Sequence, residues 1–189
     1  MINEKTILEK YNKITEMLIQ LALSVTCMES CTSGMVSSLL TDTEGASKVF
    51  KGSIIAYSNE TKVQFGLPES TIKSYGVYSN ETAAAMARAS RMLQKTDVGI
   101  GISGAYGNPD PANPGAELRS VYFAVDVNSR LYNYHIDIPK LESRYEYKLY
   151  TVDKIGDELI KLLKRNKSFS VIQKKLKEKR SETVNENNN

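Results

Sequence analysis

The chain has 189 residues, 41% of them hydrophobic and 25% charged, with a formal net charge of +3. That describes one globular domain with a core of its own, too short for two ordinary ones. No apolar run approaches the ~20 residues of a membrane span, and the N-terminus MINEKTILEK lacks the apolar centre of a signal peptide, so a membrane partner is not expected.

Ile7, Tyr11, Ile14, Leu18 and Leu21 step by three and four, which predicts an amphipathic helix over residues 4–22. Ser24 to Met28 reads as a short buried strand, Gly34 to Leu40 as a short helix and Asp42 to Ser47 as a loop. Phe50 to Tyr57 reads as a second strand, followed by a helix start at Ser58-Asn59-Glu60 that leads through Lys62. Pro68 to Tyr75 is a further short helix, and Ser79 caps a strong helix over Thr82 to Gln94. Asp97 to Ser103 is a strand of small residues, and Gly104 to Gly115 a turn-rich loop. Val121 to Val127 and Tyr132 to Ile138 form a hairpin around Asn128-Ser129, and Leu141 to Leu163 is the last core helix. Strands alternating with helices, plus one hairpin, predict an α/β fold: a three-layer α/β/α sandwich around a mixed, mostly parallel sheet.

The charge divides the chain. Residues 165–189 hold seven Lys/Arg and three Glu, while the rest holds 18 Lys/Arg against 19 Asp/Glu. The expected organisation is a nearly neutral domain over 1–165 and a basic, disordered tail over 166–189, within which Phe169, Ile172 and Leu176 suggest one short helix. A folded body without basic excess is not expected to bind nucleic acid.

The two cysteines, Cys27 and Cys31, fit neither a disulfide framework nor a zinc site, so a reducing, cytoplasmic setting is expected. The single histidine, His135, lies in the hairpin and reads as a half-exposed strand residue; multi-histidine metal sites are excluded. Neither a Gly-x-x-x-x-Gly-Lys-Ser/Thr nor a Gly-x-Gly-x-x-Gly nucleotide loop is read here.

What remains for hydrolysis is a serine activated by lysine, since burial or nearby cations can bring a lysine towards neutrality. Ser30, Tyr57 and Ser103 each fall at the end of an expected strand, where α/β sheets form their ligand crevice, and Lys62 lies one helical turn beyond Tyr57. The bland alternatives are a helix cap for Ser30 and a solvated helix face for Lys62.

Glu29-Ser30-Cys31-Thr32-Ser33-Gly34, then Gly52-Ser53-Ile54-Ile55-Ala56-Tyr57-Ser58-Asn59-Glu60-Thr61-Lys62, then Gly76-Val77-Tyr78-Ser79, resemble the CinA C-terminal domain family, whose motifs read approximately ESCTGG, GG-hydrophobic-AYSNxxK and GAVS. The likeness runs in the same order from Ser24 to Leu163 and has the look of the stand-alone form of that module with an added tail. It implies a nicotinamide-nucleotide amidase that converts nicotinamide mononucleotide to nicotinic acid mononucleotide and ammonia, without metal or cofactor, as a homodimer. Carried over, the serine nucleophile falls on Ser30, and the active-site tyrosine and lysine on Tyr57 and Lys62. Thr32, Ser33, Gly34, Ser103, Gly104 and Arg144 are then expected to hold substrate or oxyanion. Ser33 replaces a family glycine, Glu142-Ser143 precede Arg144 in place of Gly-Asp, and the family's TGIAGPGGG stretch is Ser103-Gly104-Ala105-Tyr106-Gly107-Asn108-Pro109-Asp110. These departures leave a non-hydrolytic, CinA-like nucleotide-binding or protein-interaction module as the alternative.

Overall fold

The computed structural model describes residues 3–114 and 116–186, with side chains through Arg165. Helix α1, Glu4–Leu21, leads into strand β1, Val25–Glu29. Asn3 caps α1 by accepting from Lys5 and Thr6 N–H groups, and Ala22 ends it in the left-handed conformation. After α2, Met35–Thr41, and a 3-10 turn at Ala46–Lys48, strand β2 spans Phe50–Ile55. Three helices follow: α3 Asn59–Gln64, α4 Glu69–Tyr75 and α5 Asn80–Gln94. Ser58 and Ser79 cap α3 and α5, each accepting from the N–H three residues on. Strands β3 Val98–Ala105, β4 Ser120–Val127 and β5 Arg130–Asp137 complete the sheet. The hairpin turn places both Asn128 (φ 48°) and Ser129 (φ 73°) in the left-handed region, as a two-residue hairpin of matching twist requires.

The sheet order is β2-β1-β3-β4-β5. β1 pairs parallel with β2 and β3, and β4 runs antiparallel to both β3 and β5, so four of the five strands share a direction. Strand alternation splits the core into two layers. Cys27, Ile100, Ile102, Phe123 and Val125 face Ile7, Tyr11, Ile14 and Leu18 of α1, together with α2 and the last helix, α6, Arg144–Glu186. Met28 packs instead with Ala56, Leu67 and Met86, and Ala124 with Ala83 and Ala87 of α5. This is the expected three-layer α/β/α sandwich.

The glycine spacing Gly99-x-Gly101-x-x-Gly104 does occur, although the sequence reading finds no such loop. All three residues lie inside β3, and two of them serve packing against α5. A Cβ on Gly101 would lie 2.1 Å from Ala83 O and 2.3 Å from Ala87 N, and one on Gly99 2.2 Å from Ala87 O. The absent side chains let α5 lie directly on the sheet.

Helix α6 spans Arg144–Glu186. Its start is a reciprocal cap: Glu146 N–H donates to Ser143 Oγ, and the Glu146 carboxylate accepts from the Ser143 N–H. Tyr11 donates its hydroxyl to Val152 O, and Lys10 pairs with Asp153 and Asp157, tying α1 to α6. The backbone helix continues past residue 165, where the sequence reading places the disordered tail and a separate short helix. Residues 187–189 lie outside the described residues, as do the side chains of Phe169, Ile172 and Leu176.

Candidate functional site

β1 ends at Glu29, and the chain turns sharply into α2. Ser30 N–H still donates to Ile102 O of β3, which fixes the serine at the sheet edge. The turn closes through Ser33 (φ 52°) and Gly34 (φ 91°), both left-handed. Ser33 stands there without a glycine's freedom, at a cost of about 1 kcal/mol.

The Glu29 carboxylate organises this turn. It is fully buried and accepts hydrogen bonds from Thr32 Oγ1 at 2.7 Å, Gly34 N–H at 3.0 Å, Val36 N–H at 3.2 Å and Ser37 N–H at 2.8 Å. An anion at the start of a helix satisfies orphan N–H donors and complements their dipole. Glu29 is a positioning residue that the sequence reading quotes within the motif and gives no role.

Lys62 reaches this turn from α3. It is only 1% exposed, and Ser30 5%. Its Nζ donates to Ser30 Oγ at 3.3 Å and to Tyr57 O at 3.1 Å. Burial lowers its pKa from the ordinary 10.5 to about 8, although Cys31, Asp110 and Glu60 act in the opposite direction. Lys62 is therefore no solvated helix face. A serine hydroxyl in contact with a lysine that readily gives up its proton is the pairing a serine–lysine hydrolase needs.

Tyr57 sits differently from the expected relay. Its side chain is 60% exposed, and its hydroxyl accepts from Arg144 Nη2 at 3.2 Å. Lys62 meets Tyr57 at the backbone carbonyl, not at the hydroxyl. Arg144, the first residue of α6, also lies over the Tyr106 ring, 5.5 Å from its centre.

These groups surround a cavity of about 200 Å³ lined by Ser30, Cys31, Tyr57, Gly104, Tyr106 and Arg144, and by the loop from Asn108 to Pro111. Of the residues that the resemblance assigns to substrate or oxyanion, Gly104 and Arg144 line this cavity. Thr32, Ser33, Gly34 and Ser103 are not on the wall. Thr32 is spent on Glu29, and Ser103, buried within β3, donates its hydroxyl to Val77 O at 2.7 Å. The Ser33 and Gly34 N–H groups are likewise taken, by Ser30 O and Glu29.

Tyr78 and Asp110, which stand in the quoted motif stretches without a role of their own, also line the wall. Asp110 Oδ2 accepts from Tyr78 Oη at 2.6 Å and from Asn113 Nδ2 at 2.7 Å, and Oδ1 from Ala112 N–H at 3.0 Å. The Tyr78 and Asn113 bonds hold its carboxyl below the usual carboxylate range. Cys31, beside the serine, has its thiol pushed up to about 11, first by burial, so it is a poor nucleophile.

A serine, a histidine and an aspartate do meet elsewhere. Ser120 Oγ lies 2.6 Å from His135 Nε2, and the same nitrogen lies 3.6 Å from Asp137 Oδ1. Both partners share one nitrogen, so the imidazole has no carboxylate to orient its far side, and Ser120 is buried. Among the described residues no three His, Cys, Asp or Glu gather as for a metal, and no helix is long and apolar enough to cross a membrane.

A CinA-like protein of Fervidobacterium nodosum is 33% identical over 141 residues, covering 72% of this chain and 34% of its own length. A CinA-like protein of Dictyoglomus turgidum is 41% identical over 95 residues, 50% of this chain and 23% of its own length. The chain therefore spans about a third or less of these relatives. Among solved structures, a competence-damaged protein (CinA) superfamily protein of Klebsiella pneumoniae superposes with a TM-score of 0.77 at 19% identity, over 84% of this chain and 98% of that one. The competence/damage inducible protein CihA of Agrobacterium tumefaciens gives 0.74 at 26% identity, over 82% and 94%. The family model of the CinA C-terminal domain matches residues 8–162, and the chain belongs to that family.

Proposed function

We propose that this domain is a metal-independent amidohydrolase of the nicotinamide-nucleotide amidase type, converting nicotinamide mononucleotide to nicotinic acid mononucleotide and ammonia. The observation that carries the reading is the buried contact of Lys62 Nζ with Ser30 Oγ at 3.3 Å, facing a cavity. Lys62 in its neutral form takes the Ser30 proton as Oγ attacks the carboxamide carbon. The direct contact makes a relay through the Tyr57 hydroxyl unnecessary. The developing oxyanion falls to the N–H of Cys31, the turn residue next to Ser30 on the cavity wall, since the Ser30, Ser33 and Gly34 N–H groups are spent on Ile102 O, Ser30 O and Glu29. Lys62, now protonated, gives its proton to the departing nitrogen, which leaves as ammonia. Water then attacks the acyl-serine ester, with Lys62 again the base, and frees the carboxylate. In this reading Arg144, exposed at the cavity rim, pairs with the substrate phosphate.

The test is ammonia release from nicotinamide mononucleotide by the purified chain. Ser30→Ala should lower the rate by several orders of magnitude and leave the fold intact. A variant keeping more than about a tenth of the wild-type rate overturns the nucleophile assignment. The second reading, a non-hydrolytic binding module, draws on the Gly104–Asp110 stretch that departs from the family motif; it predicts nucleotide binding by the wild type with no ammonia formed.

A further inference from the structure

The cavity wall carries two charged side chains, Asp110 and Arg144, and three tyrosines, Tyr57, Tyr78 and Tyr106. Arg144 is at the rim. Asp110 is fixed from three directions, by Tyr78, by Asn113 and by the Ala112 N–H, and Asn113 is in turn held by Asn59 of α3 at 3.2 Å. All of these are donors, so the carboxylate stays ionised and has no proton to offer as a general acid. Among the described residues it forms no ion pair, with Arg144 or any other cation. An unpaired, pre-positioned anion among aromatic walls suits a cation too delocalised to need several hydrogen bonds of its own.

We propose that Asp110 is the specificity-determining residue of the site: its carboxylate selects amides whose ring bears a permanent positive charge, the pyridinium class, over neutral rings of the same shape. The inference rests on the amidase reading for the location of the substrate ring, but its own claim concerns binding. Arg144 and Asp110 together give the cavity one cationic and one anionic group, the charge pattern of a molecule that joins a phosphate to a cationic ring.

The experiment compares oxidised and reduced nicotinamide mononucleotide, which share phosphate, ribose and carboxamide and differ in ring charge. Binding is measured by calorimetry on Ser30→Ala, so that nothing turns over. The expected result is about tenfold tighter binding of the oxidised form, lost in Ser30→Ala/Asp110→Asn and retained in Ser30→Ala/Asp110→Glu. Equal binding of the two forms by Ser30→Ala overturns the proposal without need of the double variants. Loss of the preference in Asp110→Glu as well as Asp110→Asn also overturns it, because the hydrogen-bonded clasp and not the charge would then be responsible. A charge-dependent preference in a protein that releases no ammonia supports Asp110 selection while sinking the amidase reading. Ammonia release with a preference unchanged in Asp110→Asn does the reverse.

Discussion

Lys62 and Lys10 are both held by hydrogen bonds inside the same small domain, yet they titrate in opposite directions. Lys10 is partly buried, which lowers its pKa, but Asp153 and Asp157 more than reverse this and raise it. Lys62 has a serine hydroxyl and a backbone carbonyl as partners and no ion pair among the described residues, so burial prevails. One lysine is a structural cation, and the other is prepared to lose its proton.

The pH profile should report this. With Lys62 at about 8, kcat/KM for amide hydrolysis rises with pH up to that region and falls about tenfold per unit below it. Lys62→Arg should be nearly as inactive as Lys62→Met, because a guanidinium is not deprotonated near neutrality. Substantial activity in Lys62→Arg would show that only a positive charge is needed.

The same lysine should weaken the fold. Its folded pKa lies below the unfolded value of 10.5, so the unfolded chain binds the extra proton between about pH 8 and 10.5. Stability therefore rises with pH through that window, and below it the full cost of about 3 kcal/mol stands. Lys62→Met should melt higher than wild type at pH 7, by 1–3 kcal/mol after its two lost hydrogen bonds are counted, and the advantage should fade towards pH 10.5. Thermal melts across pH 6–10 check this, and a lower melting temperature for Lys62→Met at pH 7 refutes it.

Glu29 should matter to both stability and turnover. Gln at this position turns one of the two acceptor oxygens into a donor, set either against the Gly34 and Val36 N–H groups or against that of Ser37, in a site buried from solvent. Glu29→Gln is expected to cost about 2–4 kcal/mol in urea unfolding and to lower kcat, because Ser30 is the next residue. Unchanged stability would mean the turn is held by other bonds.

The elements were largely legible because their signals are local. The three-four spacing of Ile7 to Leu21, the Ser79 cap and the Asn128-Ser129 turn each act within one element. Ser30 and Lys62 were legible through the motifs that carry the family resemblance. Strand parity was less accessible: β3 runs on to Ala105, so Ser103 points into the protein towards Val77 O and not into the crevice. Thr32 was missed as a buried cap partner because its acceptor, Glu29, lies on the other side of the turn. Asp110 was legible only as part of the stretch that departs from the family motif; its own role was not, since Tyr78 and Asn113, distant from each other in sequence, decide where its carboxylate sits.

Packing of α5 on β3 predicts the effect of a single methyl group. The Cβ of Gly101→Ala would meet two backbone atoms of α5 at 2.1 and 2.3 Å, and backbone cannot rotate away as a side chain can. The helix must lift from the sheet, at a cost of about 2–4 kcal/mol in denaturant unfolding. A loss below about 0.5 kcal/mol would show that α5 slides freely on the sheet.

Truncation after Arg165 should leave the proposed amidase activity intact. The family match ends at residue 162, and Leu162 and Leu163 are the last core residues among the described side chains. Among the described residues, none beyond Arg144 lines the cavity. The removed segment carries the basic excess of the chain, so its loss should weaken association with acidic partners and leave the melting temperature and kcat/KM unchanged. A truncated chain that is insoluble or inactive would show that Phe169, Ile172 and Leu176 dock on the core or on a second copy. Size-exclusion chromatography of both forms separates those two outcomes.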